Sequence, residues 1–171
     1  MASWRFKCPH LATVALVGAM LSAAGSHLAA QETPRPIVFT SGQAEAGRTG
    51  YEKSCGQCHT YTLRGRTGEV GELPALESLP GPYLKFMGPA KRVLPLVGND
   101  FVRKYSQKTV AEMFSLFRGA ADTTPVAELH MSDDTLVNIT AYILQMNGGT
   151  PGDEVLTKTS AVAFGSAAFV K

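Results

Sequence analysis

An all-α domain is what this sequence predicts, and three observations lead there. Apolar residues recur at helical spacing in two stretches: Val110, Met113, Phe114 and Phe117, then Leu136, Ile139 and Ile143 flanked by Tyr142 and Met146. The alternating apolar and polar runs that strands require are almost missing. A length of 171 residues gives room for one ordinary domain and is short for two. With 44% hydrophobic and 18% charged residues the composition is globular, and a net charge of +2 is too small to argue for nucleic acid.

Residues 1–30 read as a secretory signal peptide. They hold no acidic residue, Arg5 and Lys7 precede an apolar run from Leu11 to Ala24, and small residues lead through Ala30 to a polar break at Gln31-Glu32. The competing reading is a membrane anchor, but the run is shorter than the roughly 20 residues that a span needs. Cys8 follows Phe6-Lys7 and is a poor lipoprotein site. Cleavage after Ala30 takes 30 of the 171 residues and leaves 141, with 14 basic and 14 acidic side chains. It also removes Cys8, His10 and His27, so the remaining cysteines are Cys55 and Cys58 and the remaining histidines are His59 and His130.

Residues 31–41 are polar and proline-bearing, an expected extended arm before a folded domain over 42–148 and a tail over 149–171. A helix should begin near Ser41, its expected N-cap, and run into Cys55-Gly56-Gln57-Cys58-His59. Gly47 and Tyr51 are four apart and share a face, which suggests that another helix crosses closely there. The best partner is the last helix, Asp133 to Asn147, with Ser132 as N-cap, Asp133 and Asp134 at the positive dipole end, and Gly148-Gly149 as the stop. A middle helix runs from about Thr109 to Arg118 and ends at Gly119. Between Thr62 and Leu94, glycines and prolines fall too densely for long elements, leaving a long loop with helical turns around Leu73–Leu79 and Tyr83–Phe86. From Thr150 the chain is small and weakly apolar and could pack across the body.

The chemistry sits in Cys55-Gly56-Gln57-Cys58-His59. C-x-x-C-H is the attachment signature of c-type haem. On a helical turn the two thiols can form thioethers to the porphyrin vinyl groups, and the next residue aims an imidazole at the iron. Gly56 is expected to let the chain pass close to the macrocycle. A structural zinc site would need four ligands, and the shortened chain offers no second cysteine pair and only distant His130. A thioredoxin-like redox pair would want a βαβ context that the sequence does not show, and a disulfide this short would stabilise little.

On these residues the chain resembles a class I monohaem cytochrome c, in particular the small bacterial cytochromes that work beside quinone-cofactor (PQQ) dehydrogenases. The matching pieces are Gly47-x-x-x-Tyr51-x-x-x-Cys55-Gly56-Gln57-Cys58-His59, Leu94-Pro95-Leu96-Val97-Gly98-Asn99-Asp100-Phe101, Thr109-Val110-x-x-Met113-Phe114, Ser132-Asp133, and Ala141-Tyr142-Ile143-Leu144-Gln145-x-Asn147-Gly148. The resemblance implies one covalent haem c, crossing N- and C-terminal helices at Gly47/Tyr51 and Tyr142, and a Pro95 carbonyl that accepts the His59 Nδ1–H and so fixes the ring.

Two departures stand out. The interval from His59 to Pro95 is long for such cytochromes, so the 62–94 segment reads as an insertion that could cover the haem edge or dock a partner. The stretch Gly119 to Glu128, where the family usually carries its distal methionine, contains none. Met131 is the expected distal iron ligand, with His130 as the alternative, Met87 on the long loop as another, and no strong protein ligand as the fourth case. Met113 and Met146 fit helix core faces.

The expected function is single-electron transfer in the periplasm, between a dehydrogenase or quinol-oxidising complex and a terminal acceptor. Partners would be transient redox proteins, with no nucleic acid and no membrane span after cleavage. Lys85, Lys91, Arg92, Arg103 and Lys104 could form a basic collar, although the plainer reading is a scattered, solvated surface. The rival, motivated by the missing loop methionine, is a five-coordinate haem protein acting as a gas or ligand sensor or a peroxidase-like enzyme.

Overall fold

Capping chemistry sets the first helix one residue away from its expected start. In this computed structural model, which describes residues 38–168, the N-cap is Thr40 and not Ser41. The Thr40 hydroxyl accepts from the Gln43 backbone N–H at 3.1 Å, and Gln43 Oε1 accepts from the Thr40 N–H at 3.2 Å. This reciprocal pair satisfies two donors that a helix start leaves without partners. The expected signal segment 1–30, Cys8 included, and arm residues 31–37 lie outside the described residues.

Among the described residues the helices run α1 (Ser41–Lys53), α2 (Gly56–His59), α3 (Gly81–Phe86), α4 (Asn99–Tyr105), α5 (Val110–Thr123), α6 (Asp133–Met146) and α7 (Phe164–Ala167). Short 3₁₀ turns occupy Leu76–Ser78 and Pro125–Leu129. No strand occurs among these residues, only isolated bridges at Arg66–Val93 and Thr109–Ala163, so the domain is all-α. No described helix is long and apolar enough to cross a membrane.

The frame is the crossing of α1 with α6. A Cβ added to Gly47 would lie 1.8 Å from the Asn138 carbonyl oxygen, so the two backbones touch and only glycine fits. Beside that contact the Tyr51 and Tyr142 rings pack with centroids 5.5 Å apart. Leu136, Ile139, Tyr142 and Ile143 bring the buried stripe of α6 into the core, as their spacing predicts, whereas Met146, expected on the same face, is exposed at the end of the helix.

Three elements depart from the sequence expectation. Helix α1 does not continue into the cysteine motif: Ser54 adopts φ −125° and ψ −94°, and the motif forms its own turn, α2. Helix α5 runs through Gly119 to Thr123, since a mid-helix glycine costs only about 1 kcal/mol and Ala121 is buried beyond it. Pro125 lies just beyond its end. Helix α4 has no counterpart in the sequence pattern; its Phe101 and Val102 are buried, and Phe101 stacks edge-on against Phe164 of the tail at 5.7 Å.

The tail does cross the body. The Val110 N–H donates to the Val162 carbonyl at 2.8 Å, the Ala111 N–H donates to the Ser160 carbonyl at 3.0 Å, and Phe164 is fully buried.

Candidate functional site

The turn that carries the cysteines is fastened from three sides. The buried Tyr51 hydroxyl donates to the Thr60 carbonyl at 2.9 Å, just past the turn. Gln57 Nε2 donates to the Glu52 carbonyl at 2.7 Å, tying α2 to α1. Arg66, a fully enclosed side chain, donates through Nη2 to the carbonyls of Gln57 at 3.0 Å and Pro74 at 2.6 Å, with Glu72 Oε2 3.6 Å from its Nη1. Gly56 is closely hemmed in by the protein itself: a Cβ there would meet the Tyr51 carbonyl at 3.0 Å and the Tyr61 ring at 3.2 Å.

His59 is oriented by the next layer of chain. Its Nδ1–H donates to the Leu94 carbonyl at 2.8 Å, so the acceptor is Leu94 and not Pro95. The reason is the register of the bridge beside it. Arg66 and Val93 exchange both of their backbone hydrogen bonds, at 2.9 and 3.1 Å, and consecutive carbonyls of an extended chain point opposite ways. The Val93 carbonyl is therefore consumed by Arg66, and that of Leu94 is turned toward His59. Gly65 permits the approach: its φ is +74°, and a Cβ would sit 2.1 Å from the Val93 carbonyl oxygen. With Nδ1 carrying the proton, Nε2 keeps its lone pair. Burial pushes the imidazole below its usual pKa, against the Leu94 bond, and so favours the neutral ring that a metal ligand requires.

Cys55, Cys58 and His59 share one cavity of about 550 Å³. Its remaining wall is mainly apolar: Leu96, Phe101, Met113, Phe117, Ile139 and Ile143 are among the contributors, with Tyr83, Phe86 and Met87 from α3 and its end. That volume lies within the roughly 300–1,000 Å³ of pockets that bury cofactor-sized ligands. Both cysteines are free thiols, and burial raises the pKa of each; for Cys58 it does so against the charge of Arg66. An attacking redox thiol needs the opposite shift. Among the described residues no three His, Cys, Asp or Glu side chains converge as a metal cage, Cys55, Cys58 and His59 included. The arrangement sets two thiols and one imidazole against a single, mainly apolar cavity.

No family model, curated protein or solved structure matches the chain.

Of the candidate distal ligands, Met87 reaches the cavity, while the expected Met131 and its alternative His130 do not. His130 is exposed on a left-handed backbone. Arg118 donates to the Met131 carbonyl at 2.8 Å and pins that segment to α5. Of the basic residues, Arg92 lines the cavity, Lys91 turns inward to the Leu84 carbonyl, and Arg103 pairs with Asp100. Sequence reading misses Arg66, because a lone arginine in a glycine-rich loop carries no pattern. It also misses Tyr83 as a cavity residue, although the turn that holds it is expected.

Proposed function

We propose that the chain is an exported class I c-type cytochrome that carries single electrons through one covalent haem c. The observation that carries this reading is the convergence of Cys55, Cys58 and a tethered His59 on one mainly apolar cavity of cofactor size. A bound haem supplies a one-electron couple at its iron. Cys55 and Cys58 would hold it by thioethers, and His59 would present Nε2 as the proximal ligand. The Leu94 carbonyl fixes the ring and raises its basicity. Phe101, Phe117, Ile139 and Ile143 keep water from the buried face, while α1 and α6 supply a rigid support.

Phe86, Leu94 and Leu116 line the cavity and are 58%, 73% and 44% exposed, which puts apolar surface at its mouth. A dehydrogenase or quinol-oxidising complex on one side, and a terminal acceptor on the other, would dock there through a small transient interface. The leader over 1–30 supports the periplasm as the place of action. The peroxidase reading has less support, because among the described residues the cavity lining contains no second histidine and no carboxylate to move a proton.

The test is expression with a bacterial haem-attachment system, followed by a denaturing gel stained for haem and by intact mass. The expected result is one haem that survives denaturation, is lost in the Cys55→Ser, Cys58→Ser double variant, and sits on a chain beginning at Gln31. A wild-type chain that takes up no covalent haem would overturn the reading.

A further inference from the structure

Resting on that reading, we propose that Met87, on the 62–94 segment, supplies the second axial iron ligand in place of the expected Met131. Four methionines, Met87, Met113, Met131 and Met146, are candidates among the described residues. An axial thioether must line the cavity and must offer its sulfur to a visitor, and those two conditions separate them. Met131 and Met146 do not line it, and Met146 is 43% exposed elsewhere. Met113 lines it but has 0% exposure with no group bound, so protein atoms already cover its side chain on every side. Met87 lines the cavity and is half-buried, which leaves surface for a ligand to touch.

Local structure explains how a loop methionine is held there. Tyr83 and Met87 stand four apart, on one face of α3 and its C-cap, and both face the cavity. The Met87 N–H donates to the Tyr83 carbonyl at 3.0 Å, Gly88 turns into the left-handed region, and Pro89 prevents continuation. Lys91 reaches back to the Leu84 carbonyl and clamps the end of the helix. Helix α3 in turn packs against the 3₁₀ turn Pro125–Leu129. Ala120, Ala121 and Thr124, which precede that turn and line the cavity, are small, so this wall leaves space that a side chain from α3 can use. The 62–94 segment then does more than cover an edge: it donates the residue that saturates the iron.

The experiment uses the haem-loaded full chain with Met87→Leu, Met87→His and Met131→Leu. Leucine keeps the packing volume and removes the sulfur. Each variant is read by its ferric absorption spectrum, by carbon monoxide binding to the ferrous form, and by circular dichroism for retained helix. The expected results are that wild type and Met131→Leu keep the methionine-to-iron charge-transfer band and exclude carbon monoxide. Met87→Leu loses the band and binds carbon monoxide, and Met87→His stays six-coordinate without the band and at a lower potential. Retention of the band in Met87→Leu, or a wild type that already binds carbon monoxide promptly, overturns the assignment while leaving the cytochrome reading intact. Absence of covalent haem from wild type overturns both.

Discussion

At the scale of single residues, the site depends on backbone atoms that side-chain patterns do not announce. The Cys55-x-x-Cys58-His59 motif is legible in the sequence because its meaning lies in residue types at fixed spacing. The acceptor for His59 is legible only to within one residue. Which carbonyl faces the ring depends on the Arg66–Val93 bridge, and that pairing spans a loop whose sequence carries no register. Gly65 makes the bridge possible, so Gly65→Ala is expected to cost more than the roughly 1–2 kcal/mol of the left-handed backbone alone. Gly68 provides the comparison, because its φ is +88° with nothing within 4 Å of an added Cβ. Urea unfolding of the two alanine variants should show the larger loss at Gly65; equal losses would mean that the close approach to Val93 is not a constraint.

At the scale of elements, periodicity finds what is amphipathic and misses what is short. Helices α5 and α6 bury residues at three- and four-residue intervals over four turns, which is why they can be read directly. The four-to-seven-residue helices α2, α4 and α7 hold too few positions to show a period; α4 and α7 form because neighbours bury Phe101, Val102 and Phe164. The start of α1 is ambiguous in the sequence for a related reason. Ser41 and Thr40 are both acceptable caps, and Gln43 selects Thr40 by lying three residues on. Phe164 tests how firmly the tail belongs to the domain. Its removal in Phe164→Ala is expected to cost about 3–5 kcal/mol and to expose the tail to limited proteolysis, whereas Val155→Ala, at a residue 63% exposed, should do neither. If Phe164→Ala unfolds at the wild-type urea concentration, the tail is an accessory rather than part of the core.

Across the whole molecule, Asp133 is where three segments meet. It begins α6, accepts from Arg118 of α5 at 2.7 Å, and accepts from Lys158 of the tail at 2.6 Å. The Lys158 hydrogen bond first, and that of Arg118 second, hold its carboxyl below the usual range, while desolvation pushes the other way. A carboxylate whose folded pKa is depressed contributes stability above its unfolded value, near pH 4, and loses that contribution as the pH falls through the folded value. Asp133→Asn should therefore lower stability at neutral pH and weaken its decline on acidification. Glu45, Glu112 and Glu72 are also held low, so part of the acid limb should persist in the variant. Because Asp133 and its partners Arg118 and Lys158 are partly open to water, added salt should shrink the difference between wild type and variant. Unfolding midpoints measured from neutral pH to below pH 4, at low and high salt, separate the cases. Parallel pH curves for the two proteins would show that the three-way contact does not couple α5, α6 and the tail.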